Sequence, residues 1–376
     1  MLFVNAQSLE LENWKIINSS ELNVGSAEVS QLAYPTAGWY QATVPTTVLN
    51  ALVKEHVYPD PRIGLNNYLM PDVSDEFNVR MDLSKYNYLK SGRNPWQDPY
   101  WYRTEVVLPK SYKGKKVWLI LNGINYRADV WVNGRQVADK KDIVGMFRRF
   151  KLDITGYAHA GANKCIAIKI YQVDHPGVPT PGTQLKVFGP VRGHSYDIFK
   201  DETLKISGGW DCAPVVRDRN MGIYQKVIVE ATDEVLIENP FVVTTLPKST
   251  TMPMKVDTGL AKVNIKLEVR NTSAKLVEGK VNAWITLINE VKFPTYTKHM
   301  EGYLKPIKLT KKVALRAGER KVVELTPEDF PSLLIENPYL WYPNGYGEQY
   351  LHHMKLSFSI GGKVSDTKEF DFGTHS

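Results

Sequence analysis

Hydrophobic and polar residues alternate with a period of two along much of the chain. The apolar members of two clear examples are Val263, Ile265, Leu267 and Val269 in one stretch and Met354, Leu356, Phe358 and Ile360 in the other. Because successive side chains of a β-strand point to opposite faces, this period predicts strands with one face buried and the other in water. The chain is therefore predicted to be rich in such half-buried strands.

Glycine-containing pairs predict the turns between these strands. Asn133-Gly134 separates the strand-like stretches 128–132 and 135–137, and Asn-Gly readily adopts the positive φ angles of a two-residue hairpin turn. Asn122-Gly123 and Gly361-Gly362 are also predicted to be turns that join strands.

Helix signals are scarce, and the best of them lies over residues 46–54. A threonine stands at its start as a candidate cap. Val48, Leu49, Leu52 and Val53 would form a single apolar stripe of about two turns.

A change in sequence character predicts two domains. Before about residue 232 the chain is rich in Trp, Tyr and Gly, with irregular stretches such as 174–193, which holds four Pro and four Gly. After it, evenly spaced strands are joined by short turns. We predict an all-β protein in which a jelly-roll β-sandwich, residues 1–232, is followed by an immunoglobulin-like β-sandwich, residues 233–376.

Charge and hydropathy exclude two kinds of partner. Lys and Arg number 47 against 40 Asp and Glu, a net charge of +7. The cations are spread in short clusters such as 113–116, whereas nucleic-acid binders concentrate them on one face or arm. Apolar runs reach five or six residues, and a membrane-spanning helix needs about 20. We expect neither a nucleic acid nor a membrane as partner.

Common cofactor and metal motifs are absent from the sequence. It contains no phosphate-binding loop, dinucleotide fingerprint, His-Glu-x-x-His or Gly-x-Ser-x-Gly. His352 and His353 are adjacent, so in a strand they point to opposite faces. Cys165 and Cys212 are too few for a disulfide framework or a cysteine metal site; two buried thiols and a single bridge both remain open. No cofactor and no metal are expected.

Aromatic residues are the most informative candidates for binding. A flat ring beside carboxylates and amides suits a sugar, whose C–H face stacks while its hydroxyls form hydrogen bonds. Core packing is the expected role of Trp118, Trp131 and Trp284. Trp210-Asp211 instead lies in the Gly- and Pro-containing stretch 208–214. For this pair, core packing and sugar binding both remain possible roles.

Four segments match, in order, the motifs of one known family. The first combines Val-Pro-Thr-Thr-Val-Leu at 44–49 with Pro-Asp-Pro-Arg-Ile-Gly-Leu-Asn at 59–66. The second combines Tyr-Trp-Tyr-Arg at 100–103 with Ala-Asp-Val-Trp-Val-Asn-Gly at 128–134.

The third segment is Gly-Trp-Asp-Cys-Ala-Pro at 209–214, followed by Asp-Arg-Asn-Met-Gly-Ile-Tyr at 218–224. The fourth, at 337–347, contains Leu-Trp-Tyr-Pro-Asn-Gly. In these segments the chain resembles glycoside hydrolase family 2, especially its β-mannosidase and exo-β-glucosaminidase branch. It departs from that branch at Cys212 and Tyr342, where Trp is usual.

The resemblance implies a retaining exo-glycosidase of this family, which also includes β-galactosidase-like members. Such enzymes consist of a galactose-binding-like jelly roll, an immunoglobulin-like domain and a (β/α)₈ barrel with both catalytic carboxylates. In the mannosidase branch the Asp of the Trp-Asp loop reaches the substrate; by motif position this is Asp211, with Trp210 beside it. The implied partner is a carbohydrate: a β-mannoside, a β-glucosaminide or a β-galactoside.

The length of the chain adds a further expectation. A (β/α)₈ barrel takes about 250 residues, whereas the two sandwiches account for all 376. We therefore expect the catalytic barrel and every catalytic residue to be missing, so that the barrel is lost or lies on a separate chain. The alternative is a stand-alone carbohydrate-binding or adhesion module.

The first residues bear on location. Residues 1–7 resemble the end of a trimmed export signal, which predicts a periplasmic or extracellular protein. An ordinary frayed N-terminus is the alternative.

Overall fold

The computed structural model describes residues 8–64, 66, 70, 95–175, 200–205, 219–248, 256–288 and 305–375. The chain divides into two compact units, Met1–Ala231 and Thr232–Ser376.

The elements of the first unit are mainly antiparallel strands. Its strands are β1 (Ser8–Glu10), β2 (Asn13–Asn18), β3 (Tyr40–Thr43), β4 (Thr46–Thr47), β5 (Tyr100–Val107), β6 (Lys116–Leu121), β7 (Arg127–Val132), β8 (Arg135–Ala138), β9 (Phe150–Asp153), β10 (Asn163–Tyr171), β11 (Gly222–Ile223) and β12 (Val227–Thr232). Its α-helices are α1 (Ser26–Val29) and α2 (Val48–Lys54), and 3-10 turns occur at Ser19–Glu21, Pro95–Gln97 and Lys110–Tyr112.

Two main sheets form the first unit. One has six strands in the order β3-β2-β5-β10-β7-β8, and the other has four in the order β1-β12-β6-β9; β11 and β4 form a separate pair. Alternate side chains of the two sheets share one apolar core, to which Tyr102 and Ile168 contribute from the first sheet and Leu119 and Val229 from the second. The predicted β-sandwich class is confirmed.

The hairpin predicted at Asn133-Gly134 is present and joins β7 to β8. Val132 pairs with Arg135, and the φ angles of 48° and 81° are those that a right-twisted hairpin favours. Asn133 also ties the turn to the next strand, because its Oδ1 accepts from the Cys165 N–H at 2.8 Å.

The two other predicted glycine turns also lie between strands. Gly361-Gly362 joins β19 (His352–Ile360) to β20 (Lys363–Phe372). Asn122-Gly123 lies between β6 and β7, which belong to different sheets. A strand period and a glycine do not reveal which sheet the next strand joins.

The predicted helix is α2. Thr47 caps it, since its Oγ1 accepts from the Asn50 N–H at 3.2 Å. Val48 and Leu52 are buried, and Leu49 and Val53 pack against the same core. The helix thus rests its apolar stripe on the sandwich.

The outer face of the six-stranded sheet is covered by its own chain. Val29 and Trp39, from the segment between β2 and β3, pack on Ile17, Trp101 and Cys165. Burial raises the pKa of the Cys165 thiol to about 12. Cys165 is a free, buried thiol; Cys212 lies outside the described residues.

A buried arginine holds this cover in place. Arg103, 5% exposed, donates from Nε to the Val29 carbonyl at 3.1 Å and from Nη2 to the Gln31 carbonyl at 2.7 Å. It also pairs with Glu105 at 2.5 Å, whose Oε1 accepts from the Ala33 N–H. Burial alone would raise the pKa of Glu105, but the hydrogen bonds from Arg103 and Ala33 outweigh it and lower the pKa.

The second unit is also a sandwich. Its strands are β13 (Val235–Thr245), β14 (Leu260–Asn271), β15 (Val277–Leu287), β16 (Ile307–Leu315), β17 (Arg320–Leu325), β18 (Leu334–Glu336), β19 and β20, with a 3-10 turn at Pro331–Leu333. One sheet has the order β13-β14-β17 with β18 also paired to β14, and the other has the order β16-β15-β19-β20.

The period-two stretches lie where they were predicted. Val263, Ile265, Leu267 and Val269 on β14 are all buried, as are Met354, Leu356 and Phe358 on β19. The two apolar rows meet in the core of this sandwich.

The tryptophan predictions were only partly right. Trp118 is buried and Trp131 packs against the outer cluster. Trp284 is 44% exposed on β15, so its predicted core role is wrong. The alternation of β15 places Ala283 and Ile285 in the core and therefore turns Trp284 outward.

We predict that Arg103→Ala lowers the free energy of unfolding by roughly 2–4 kcal/mol, because two carbonyls and Glu105 lose their charged donor. Urea denaturation measures the effect. Arg135→Ala, at an exposed arginine of β8, is the control and should change stability by less than about 0.5 kcal/mol. Equal effects of the two substitutions would show that Arg103 does not hold the cover.

Candidate functional site

The predicted substrate-binding residues, Trp210 and Asp211, lie outside the described residues. The structure does describe both flanks of their segment, residues 200–205 before it and 219–224 after it. These flanks show where the residues on either side of the segment are held.

The preceding flank is anchored by a buried side-chain hydrogen bond. Thr203 is fully buried, and its Oγ1 donates to Oδ1 of Asn125 at 3.0 Å. The neighbouring Glu202 accepts the Met146 N–H through its carbonyl at 2.7 Å. This flank is therefore held on the stretch between β6 and β7 and on the loop before β9.

The following flank is anchored on the same asparagine. Gly222 and Asn125 exchange backbone hydrogen bonds of 2.9 Å in both directions. Gly222 also pairs with Thr47 in the β11-β4 ladder. Its φ is +148°, and a Cβ there would lie 2.7 Å from the Thr47 Cα, so only glycine fits this approach.

Asn125 thus joins both ends of the segment that contains Trp210 and Asp211. Its side chain binds Thr203, its backbone binds Gly222, and it is 1% exposed. A buried hydrogen bond has no water to replace it if it breaks. Thr203 and Gly222 are therefore kept at one point of the sandwich although 18 residues separate them in sequence.

Buried charged residues lie on both flanks. Asp201, 2% exposed, accepts from the His175 N–H and contacts His175 Nδ1, both at 2.7 Å. Arg219, 3% exposed, donates to the Met70 carbonyl at 2.8 Å. Burial of charged groups is costly unless they are hydrogen-bonded, so these contacts fix both flanks.

Two tyrosines complete the surroundings of Asn125. Tyr224 donates its hydroxyl to the Met146 carbonyl at 2.5 Å, and the Tyr126 hydroxyl accepts the Glu202 N–H at 3.4 Å. Burial raises the pKa of both hydroxyls. They stay protonated at neutral pH and act here as hydrogen-bonding groups.

A cavity of about 430 Å³ lies in the first unit and is lined by polar residues that include Arg127, Lys140, Tyr171 and Asp174. Arg127 binds Asp174 from Nε at 2.6 Å, which raises the pKa of the arginine. Tyr171 donates to Asp129 at 2.7 Å. The single carboxylate that lines this cavity, Asp174, is already engaged.

A second cavity, of about 510 Å³, lies in the second unit. Its lining includes Ile307, Ile335 and Tyr339, with Glu336 as its carboxylate. Retaining glycoside hydrolysis uses two carboxyl groups about 5 Å apart. Neither of these two cavities supplies such a pair.

The adjacent histidines behave as predicted. His353 Nδ1 lies 2.8 Å from Asp371 Oδ1, while His352 stacks on Phe372 and burial lowers its pKa. Within the described ranges no cluster of His, Cys, Asp and Glu could hold a metal ion. The helices in that same part of the chain are too short or too polar to cross a membrane.

The fold defines a pair of β-sandwich domains, and both flanks of the segment 206–218 are anchored on the first of them. The family model for the glycosyl hydrolase 2 galactose-binding domain-like region matches residues 91–225. The model described as glycosyl hydrolases family 2 matches residues 244–374. The chain belongs to glycoside hydrolase family 2 and contains its N-terminal domains.

Curated relatives cover nearly the whole chain. An exo-β-D-glucosaminidase of Amycolatopsis orientalis is 28% identical over 95% of this chain and 27% of its own length. A mannosylglycoprotein endo-β-mannosidase of Lilium longiflorum is 27% identical over 93% of this chain and 32% of its own length. The chain therefore spans about a third of these relatives.

A solved structure agrees with the sequence relatives. The crystal structure of the Amycolatopsis orientalis exo-chitosanase CsxA superposes with a TM-score of 0.67 at 26% identity. The match covers 98% of this chain and 33% of that one. Both sandwiches are thus represented in the similar enzyme.

The role of Asn125 in holding both flanks was not predicted from the sequence. Asn125 and Thr203 stand in irregular stretches without a hydrophobic period, so no pattern connects them. The adjacent motif at 218–224 was recognised, but only the structure shows that Gly222 and Thr203 meet at one residue.

We predict that Asn125→Ala and Thr203→Val each lower the free energy of unfolding by about 1–3 kcal/mol, because each leaves a buried partner without its hydrogen bond. The double variant should lose less unfolding free energy than the two single losses added together, by at least about 0.5 kcal/mol, because both substitutions remove the same hydrogen bond. A double-mutant cycle by urea denaturation measures this coupling.

Thr104→Val is the matched control, as it removes a hydrogen bond to the Asn13 carbonyl at the surface. Paired with Asn125→Ala it should be additive. Additivity of the Asn125 and Thr203 substitutions would contradict the shared anchor.

Proposed function

We propose that this chain is the non-catalytic N-terminal part of a retaining exo-β-glycosidase of family 2. In this role the jelly-roll unit shapes one side of the sugar pocket, and both units support a (β/α)₈ catalytic barrel. The observation that carries the proposal is the match of both sandwiches to glucosaminidase and mannosidase relatives over more than nine-tenths of the chain.

The anchored segment is the proposed contribution to the pocket. A loop that positions a sugar has to start from a rigid support, because small displacements weaken its hydrogen bonds. Asn125 supplies such a support for the segment between Thr203 and Gly222. Asp211 would accept a hydrogen bond from a sugar hydroxyl, and Trp210 would form part of the wall.

The substrate class follows from the names of the relatives and from the motifs. β-Glucosaminides and β-mannosides are the first candidates, and β-galactosides are a third. Cys212 stands where the family's Trp-Asp-Trp motif has its second Trp, so the proposed pocket would have one aromatic ring fewer. A carbohydrate-binding module without a catalytic partner is the competing function.

We predict that the chain of residues 1–376 does not hydrolyse aryl β-glucosaminide, β-mannoside or β-galactoside. Neither described cavity has the two carboxylates that the reaction needs. Release of nitrophenol by purified protein, compared with a buffer blank, is the measurement. Turnover that follows the protein through purification would contradict the non-catalytic role.

In the enzyme that combines this chain with its barrel, we predict that Asp211→Asn lowers kcat/KM by about 10- to 100-fold, as expected when a charged hydrogen bond to substrate is lost. Asp218→Asn changes a carboxylate of the same segment and serves as the control. An Asp211→Asn enzyme with wild-type kcat/KM would exclude the substrate contact. Tight glycan binding by the chain alone that depends on Asp211 would favour the module instead.

A further inference from the structure

The outer face of one sheet in the second unit combines an exposed aromatic ring, lysines and small polar groups. This basic aromatic face is formed by outward side chains of β15, β16 and β19. Its members are Lys280, Asn282, Trp284, Lys308, Thr310, Lys312, Ser357 and Ser359.

Trp284 is the apolar element of this face. It lies on β15, an inner strand of the sheet, yet it is 44% exposed. The Lys308 ammonium lies 4.6 Å from its ring centroid. A large ring that is partly exposed on a sheet offers a stacking surface, and here a cation lies over the ring.

The lysines at the other end of the face repel one another. Lys280 and Lys312 are directly opposite in the register of β15 and β16, and like charges at such positions destabilise a sheet. Among the residues that the structure describes, neither has a carboxylate within ion-pair distance, and the same holds for Lys308. By contrast, Lys355 on β19 pairs with Glu369 of the next strand at 2.8 Å.

Small polar groups lie between the ring and the lysine pair. Thr310 donates to Asn282 Oδ1 at 3.0 Å, and Asn282 Nδ2 donates to Ser359 Oγ at 3.1 Å. These bonds orient the two hydroxyls, while the Thr310 oxygen can still accept and the Ser359 hydroxyl can still donate. The face therefore presents fixed groups that match sugar hydroxyls.

The dimensions of the face require an extended ligand. Lys280 and Trp284 are four residues apart on one strand, which corresponds to about 13 Å. A single sugar ring cannot reach both, whereas consecutive rings of a polysaccharide can. A ring stacked on Trp284 and an anionic group at Lys280 and Lys312 would belong to different sugar units.

We propose that the basic aromatic face binds a polysaccharide whose pyranose rings carry carboxylates. One ring stacks on Trp284, the polar groups bind hydroxyls, and carboxylates of further units meet Lys280, Lys312 and Lys308. The site is formed by residues of the second unit and does not depend on the function proposed for the segment that contains Trp210 and Asp211. It would hold the protein on an acidic polymer without acting on it.

Affinity electrophoresis in gels that contain a polyuronate such as alginate or polygalacturonate tests this proposal. We expect retardation of the chain by the polyuronate and none by neutral glucomannan. Trp284→Ala should weaken binding at least 10-fold. Lys280→Gln with Lys312→Gln should weaken it similarly and reduce its dependence on salt.

The matched control is Lys262→Gln with Lys266→Gln, which removes two outward lysines of the other sheet and should leave binding unchanged. All these side chains are exposed or half-exposed, so thermal unfolding should show folded variants. Without ligand, the Lys280 and Lys312 double variant should melt about 1–3 °C higher, because the opposed charges are gone.

Three results would overturn the proposal. The first is no retardation by polyuronate. The second is equal loss of binding in the Trp284 variant and the control, or no loss in either. The third is equally tight binding of duplex DNA, which has the charge but no pyranose face and would reveal simple polyanion attraction.

Discussion

Each main sheet of this protein has an apolar inner face, and removing that face from water is the constraint on which the rest of the structure depends. In the first unit the inner rows of the six- and four-stranded sheets meet, with Tyr102 and Leu119 fully buried. In the second unit β14 and β19 do the same with Leu267 and Phe358. Burial of apolar surface stabilises the folded state by about 25 cal/mol per Å². These apolar rows therefore determine that the sheets of each unit pack as a sandwich. The strand ends and outer faces are then free to differ.

The outer faces show two ways of using that freedom. In the first unit the segment between β2 and β3 covers Trp101 and Cys165, and Arg103 fixes it through two carbonyls and Glu105. In the second unit Trp284 remains in water beside lysines. The first face is covered by the chain itself, whereas in the second Trp284 stays 44% exposed.

Most features that depend on residues close together in sequence were predicted from the sequence, whereas features that depend on long-range contacts were not. The strands of β14 and β19, the hairpin at Asn133-Gly134 and helix α2 follow from short-range periods and turn chemistry, and they were predicted. The turn at Asn122-Gly123 was predicted, but the change of sheet across it was not, because sheet membership is decided by long-range pairing. Trp284 was assigned to the core on residue type alone, although the alternation of its own strand turns it outward. The meeting of Thr203, Asn125 and Gly222 joins three distant stretches that carry no periodic signal. Only the motif resemblance gave Trp210 and Asp211 a binding role, and that role stays a prediction.

We propose that the jelly-roll unit presents the segment around Asp211 to a sugar in a family 2 glycosidase. The decisive measurement is amide hydrogen exchange of the enzyme that contains this chain, with and without a bound glucosamine- or mannose-configured inhibitor. We expect the inhibitor to slow exchange within residues 206–218 and to leave the basic aromatic face unchanged. Unchanged exchange in 206–218, with protection elsewhere in residues 1–376, would exclude this role.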